Sequence, residues 1–129
     1  MEIPADLKYT TQHEWVRLED GIAVVGITDY AQDQMGDIVF VELPEEGEIF
    51  EEGDSFGVVE STKSVSDLYV PVSGEVAASN DPLLDTPEII NEDPYGEGWM
   101  IKIKLSKPEE VEKLMDAGAY QKHIEEEEA

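Results

Sequence analysis

Short bursts of alternating apolar and polar residues run along most of this chain, separated by glycine, proline and aspartate. A period of two predicts half-buried strands, and the separators predict turns. Residues 13–18 (His-Glu-Trp-Val-Arg-Leu) alternate in this way. Asp20-Gly21 predicts a tight turn, and residues 22–27 return as a second strand. Thr28 is a fitting cap for a short helix over residues 29–35, with Gly36 as its stop. Residues 37–43 form the next strand, closed by Pro44, and Gly47 and Gly53 bracket a short strand centred on Ile49-Phe50. Residues 56–60 and 65–70 are two more apolar, β-branched runs, after which Pro71-Val72-Ser73-Gly74 turns the chain. Residues 99–105 suit a half-buried strand. Ser106-Lys107-Pro108-Glu109 has the form of a capping box with an early proline, and Val111, Leu114 and Met115 supply the apolar face of the helix expected next. Gly118 is expected to end that helix, Tyr120 and Ile124 to seat a last turn on the core, and residues 125–129 to form a frayed acidic tail.

One segment echoes another. Gly47-Glu48-Ile49 matches Gly74-Glu75-Val76, and Asp54 matches Asp81. Gly53 falls opposite Asn80, and these residue types best tolerate positive φ, so the same turn geometry is expected twice. A pseudo-twofold sandwich built on that echo would place the intervening residues near its axis. Many short strands with Gly and Pro turns favour a sandwich or barrel. At 129 residues the chain suits one domain, residues 1–129.

Between residues 60 and 65 the strand pattern is interrupted by Ser61-Thr62-Lys63-Ser64, which predicts a β-hairpin with Lys63 at its tip. Lys63 is the only basic side chain between Arg17 and Lys102. A lone amine on a rigid tip is easily found by a modifying enzyme, and lysine is a common target of covalent modification.

Composition narrows the choices. Against 8 Lys and Arg stand 32 Asp and Glu, for a net charge of -24. Like-charge repulsion makes nucleic acid and anionic membranes poor partners, whereas basic protein surfaces are good ones. With no cysteine, disulfides, thiolate metal sites and cysteine nucleophiles are excluded. The start, Met1-Glu2-Ile3-Pro4-Ala5-Asp6, lacks a basic region and an apolar stretch, and no run is long enough to span a bilayer. The expected location is the cytoplasm, or a mitochondrial matrix if a transit peptide has been removed.

No enzymatic constellation assembles. His13 and His123 lie on separate elements without metal-ligand spacing, so no metal site is expected. There is no Gly-x-Ser-x-Gly elbow and no glycine-rich phosphate loop, and carboxylates are too common for any one pair to be diagnostic. A non-catalytic role is the expectation, with a carboxylate-based hydrolase and an acidic protein that blocks a basic surface as rivals. Trp15 and Trp99 read as core aromatics.

Read as Val59-Glu60-Ser61-Thr62-Lys63-Ser64-Val65-Ser66-Asp67-Leu68-Tyr69, the lysine hairpin resembles the lipoyl-attachment motif of glycine cleavage system H proteins. The likeness extends to Tyr9-Thr10 with His13-Glu14-Trp15-Val16, to residues 25–32 and 36–44, to Pro71-Val72-Ser73-Gly74-Glu75-Val76, and to Asn91-Glu92-Asp93-Pro94-Tyr95-Gly96-Glu97-Gly98-Trp99. Biotinyl carriers usually flank the lysine with methionines, where Thr62 and Ser64 stand here; lipoyl domains of 2-oxoacid dehydrogenases lack the His-Glu-Trp and Asp-Pro-Tyr-Gly segments. A departure from the family pattern is Thr62, where a small aliphatic residue is common.

The resemblance implies a mainly β barrel-sandwich hybrid with a short helix near residues 29–35 and a C-terminal helix. It implies that Lys63 carries lipoic acid in amide linkage, and that the arm takes an aminomethyl group from glycine decarboxylase to aminomethyltransferase and is reoxidised by dihydrolipoamide dehydrogenase. Glu14 and Asp67 match the family's arm-cleft carboxylates, with His13 a further cleft candidate. Glu60 matches part of what a lipoate ligase or lipoyl/octanoyl transferase recognises. A monomer is expected. The alternative is an H-like carrier that relays or stores lipoyl groups for other lipoate-dependent enzymes.

Overall fold

Asp20 (φ 49°) and Gly21 (φ 81°) both take positive φ, which a two-residue hairpin turn requires. In the computed structural model, which describes residues 1–128, this turn joins Glu14–Glu19 (β2) to Ile22–Ile27 (β3). Lys8–Tyr9 (β1) adds to β2. The remaining strands are Ile38–Glu42 (β4), Ile49–Phe50 (β5), Ser55–Ser61 (β6), Val65–Tyr69 (β7), Gly74–Ser79 (β8) and Ile101–Leu105 (β9). They form two antiparallel sheets, one ordered β1-β2-β3-β9-β8-β5 and one ordered β4-β6-β7. The fold is thus mainly β and sandwich-like, as expected for a barrel-sandwich hybrid, and its two sheets do not close into one barrel.

The sheets face each other across a core that includes Val16, Val25, Val41, Val59, Leu68 and Ile103. A second core lies around Trp15 and Val24, where Leu7, Tyr9, Tyr30, Tyr120 and Ile124 cover them. This is why β2 opens with three buried residues in a row, Glu14, Trp15 and Val16. The face opposite Trp15 is provided by Gly26, its register partner. A Cβ there would lie 2.8 Å from the indole ring. The indole N–H donates to Pro94 O at 2.9 Å, so Trp15 is a core residue with its one polar atom satisfied.

The first helix, Asp29–Met35 (α1), begins at Thr28, whose hydroxyl accepts from Ala31 N–H, and ends at Gly36, as the sequence predicts. Two one-turn helices, Pro82–Asp85 (α2) and Ile89–Glu92 (α3), are too short to leave a periodic signature. The C-terminal region departs from expectation. Pro108–Lys113 is a 3-10 helix with no side-chain cap, so the expected capping box of Ser106 and Glu109 does not form; the next residue, Glu110, is buried and accepts from Ser73 N and Ser73 Oγ, at 2.6 and 2.9 Å. Gly118 does not end a helix; it lies in the first turn of the final one, Ala117–Glu128 (α4), which Asp116 caps through Ala119 N–H. The helix continues through residues 125–128, where a frayed tail was expected; Ala129 lies outside the described residues. Its four C-terminal glutamates oppose the helix dipole. Burial of Tyr120 and Ile124 outweighs this, since a fully buried large apolar side chain is worth roughly 1.5–3 kcal/mol.

The echoed turn is also corrected. Gly53 has φ 92°, but Asn80 is not among the positive-φ residues. Asn80 instead donates its amide to Glu97 O and Trp99 O. The two echoed strands, β5 and β8, pair antiparallel with each other. Among the described residues no helix is long and apolar enough to cross a membrane.

Candidate functional site

The turn between β6 and β7 is built around Ser61. Its buried hydroxyl accepts from Lys63 N at 3.2 Å and Ser64 N at 3.1 Å, while Ser61 N–H donates to Ser64 O at 2.8 Å. Thr62 N–H donates to Asp37 O at 3.1 Å, which clamps the turn to the loop after α1. These bonds occupy the turn's backbone, so the exposed Lys63 side chain is the movable part. Its stem passes over Gly36, where a Cβ would lie 2.8 Å from Lys63 Cε. Gly36 also has φ 81° and ψ -158°, a region open almost only to glycine. One residue thus ends α1 and makes room for the lysine stem.

Asn91 holds this platform from behind. Its carbonyl accepts from Ile38 N–H, and its amide donates to Gln32 Oε1 and Gly36 O, all within 3.0 Å. Neither Asn91 nor Gly36 was singled out for the site from the sequence. Asn91 lies in the Asn-Glu-Asp-Pro block, but nothing local says that its amide crosses to α1.

Beside the platform lies a cavity of about 170 Å³, lined by apolar Ile27, Met35, Val59 and Leu68 and by polar Gln12, His13, Glu14, Gln34, Ser66 and Asp67. Whole small molecules usually occupy larger pockets, so this one suits the end of a chain-like group. A larger cavity of about 490 Å³ also borders Glu14, lined by residues such as Thr10, Tyr69, Lys113 and Met115. The smaller cavity is the one that adjoins the lysine, because Met35 precedes Gly36 and Ser66 and Asp67 follow the hairpin turn.

The two expected carboxylates both line the smaller cavity, but they differ in kind. Glu14 is buried at 3% exposure. It accepts from Tyr69 N–H at 2.8 Å and from the Thr10 hydroxyl at 3.4 Å. Burial pushes its pKa up to about 7, and those two bonds offset only part of the shift. Asp67 is exposed at the rim; the pleat that turns Leu68 into the core leaves its neighbour outside.

Glu60 lies on β6, paired with Phe40 on one side and Val65 on the other, half-buried and one residue before the turn. It shares the outward face with the exposed Phe40 and Val65. His13 also lines the cavity, and its ring is held by the C-terminal helix. Nδ1 lies 2.8 Å from Tyr120 Oη and Nε2 2.7 Å from Glu127 Oε2. His123 lies in the same cluster.

The arrangement therefore offers one mobile amine, a fixed turn beneath it, and an apolar cavity with a near-neutral buried acid. An acyl group on Lys63 Nζ fits it, because the stem is exposed and Gly36 leaves a groove for it. Comparison with known proteins identifies the family. The profile of the family described as glycine cleavage H-protein matches residues 7–127. A glycine cleavage system H protein of Anaeromyxobacter sp. (strain K) is 60% identical over 128 residues, covering 99% of this chain and 100% of the relative. The glycine cleavage system H protein of Symbiobacterium thermophilum is 58% identical over 118 residues, 92% of each chain. A crystal structure of a glycine cleavage system H protein from Mycobacterium marinum superposes with a TM-score of 0.85 at 44% identity, covering 92% of this chain and 95% of the other. With its hairpin lysine, its two-sheet fold and a family match over nearly its whole length, this chain belongs to the glycine cleavage H-protein family.

Proposed function

We propose that this chain is the lipoyl carrier of a glycine cleavage system. Lys63 holds lipoic acid in amide linkage, and the chain carries an aminomethyl group from glycine decarboxylase to aminomethyltransferase before dihydrolipoamide dehydrogenase reoxidises it. The observation that carries this reading is the lone exposed Lys63, on a turn clamped through Ser61 and Asp37, next to a cavity that contains Glu14. Once attached, lipoic acid supplies a redox-active pair of sulfurs that a chain without cysteine lacks.

The chain's own residues position and protect. Gly36 keeps the lysine stem free to swing, and Asn91 keeps Gly36 in place. Ile27, Met35 and Leu68 exclude water from the cavity. With its pKa near 7, Glu14 is poised to ionise when an ammonium enters, and a charge-assisted hydrogen bond is strongest where solvent is limited. Asp67 attracts the same charge from the rim, and His13 closes one wall. Glu60, beside the turn, faces the enzyme that attaches the lipoyl group, a lipoate ligase or lipoyl/octanoyl transferase. The carrier is non-catalytic, monomeric and cytoplasmic, and its net charge of -24 directs it to basic patches on partner enzymes in a salt-sensitive way.

The test is to incubate the lipoylated chain with glycine decarboxylase and isotopically labelled glycine. Label on the peptide containing Lys63 is the expected result. A lipoylated chain that accepts nothing from glycine would favour the lipoate-relay reading instead.

A further inference from the structure

Two histidines that sequence spacing keeps apart meet in space. His13 immediately precedes β2, and His123 and Glu127 stand one turn apart on α4. His13 Nε2 lies 2.7 Å and His123 Nε2 3.1 Å from the same atom, Glu127 Oε2. One ligand atom from each residue lies within 4.8 Å of the other two. Two imidazoles and a carboxylate form a donor set for a borderline ion such as zinc; magnesium and calcium take oxygen.

The surroundings orient His13 as a ligand. Its Nδ1 is 2.8 Å from Tyr120 Oη, which is 2.7 Å from Thr28 Oγ1. In the tautomer in which Nδ1–H donates to the phenol and the phenol to Thr28, the Nε2 lone pair faces Glu127. Metal-ligating histidines are oriented by such outer hydrogen bonds. At 2.7 Å from the carboxylate oxygen, Nε2 has room for either its own proton or, in the other tautomer, a metal ion after a small opening. His13 also takes φ 67°, which is costly for a non-glycine residue, and α4 ends in four glutamates at the negative end of its dipole. A cation at this point offsets the second cost and makes use of the first.

We propose that His13, His123 and Glu127 bind one zinc ion, with a fourth position left to water, and that the ion clasps α4 to the strand opening beside the cavity. Tetrahedral zinc with ligands at about 2.0–2.1 Å sets its donors about 3.3 Å apart, so His13 and Glu127 must open by roughly half an ångström. The Thr11 carbonyl, 3.3 Å from His123 Nε2, is the competing partner that the ion displaces.

The test uses the full, tag-free, unlipoylated chain, stripped with a chelator and titrated with zinc chloride by calorimetry. Near-physiological salt and excess magnesium occupy the general acidic surface. One equivalent of zinc is expected to bind, with shifts in the side-chain nitrogen resonances of both His13 and His123. His123→Gln and Glu127→Gln should each weaken binding about tenfold or more, a loss that even outer-shell changes can cause. Equal zinc affinity in the parent and in folded His123→Gln, or no binding above the magnesium-competed background, would overturn the site. Because Lys63 carries nothing in this experiment, its outcome is independent of the lipoyl reading.

Discussion

The lysine hairpin and the opening of β2 border the same cavity, yet they are held in different ways. The turn of the hairpin is held by contacts within four residues, Ser61 to Ser64, and one clamp to Asp37. Its lysine is exposed, and no large energy depends on it. The β2 opening is held by distant parts of the chain: Tyr69 N–H reaches Glu14 across 55 residues, and Tyr120 reaches His13 across 107. Its acid is buried and perturbed. The movable group is thus placed on a local, low-cost structure, and the group that must stay desolvated is fixed by tertiary packing.

The largest effect that separates the regions is expected from Lys63→Arg. Glycine-dependent carrier activity should fall to background, while the melting temperature changes little, since surface substitutions usually stay within about 0.5 kcal/mol. Carrier assay and thermal melt together check this, and retained activity would remove the hairpin from the function.

Glu14→Gln should shorten the half-life of the aminomethyl-loaded chain about 10- to 100-fold, because a hydrogen bond to a charged group is worth about 1.5–3 kcal/mol. Quenched time courses of release from the loaded chain provide the check.

The same residue gives a pH signature. Its folded pKa of about 7 lies above the ordinary value of 4.5, so between these values the folded state binds the extra proton. Stability is then full below the unfolded pKa and falls as pH rises through the folded one, by up to about 3 kcal/mol. Glu14→Gln should remove this slope and gain stability over the parent as pH rises from acid to neutral. Parallel melting curves across pH in parent and variant would contradict the buried, perturbed state of Glu14.

Gly36→Ala joins a positive φ to a Cβ 2.8 Å from Lys63 Cε, so a loss of about 1–3 kcal/mol in denaturant unfolding is expected, together with slower lipoylation. The smallest effect belongs to Asp67→Asn. An exposed charge pair contributes about 0.2–1 kcal/mol, so the loaded chain should release its group no more than about fivefold faster, and the effect should fade with salt. A loss at Asp67 equal to that at Glu14 would erase the distinction between rim and floor.

The local region was the legible one. Asp20-Gly21, the Thr28 cap, the Gly36 stop and the lysine hairpin all depend on neighbours in the chain, and each appears where the pattern put it. What needed distant partners was hidden. Gly118 reads as a helix stop, but Asp116 caps a helix that passes through it and is anchored by Tyr120 and Ile124. Asn80 reads as a turn residue, but its amide is committed to carbonyls near Trp99. Glu110 and Glu14 are buried acids in a chain with 32 acidic residues, and composition does not distinguish them from solvated ones. Glu14 was reachable only through the family resemblance. The meeting of His13 with His123 and Glu127 had no signal in spacing at all, because it joins a strand opening to a helix more than a hundred residues later.

The most direct measurement is the intact mass of the chain, with peptide mapping, after incubation with lipoate, ATP and a lipoate ligase. One added lipoyl group, located on Lys63 and absent from Lys63→Arg, is the expected result. A parent chain that remains unmodified at Lys63 under conditions that lipoylate a control H protein would contradict the central claim.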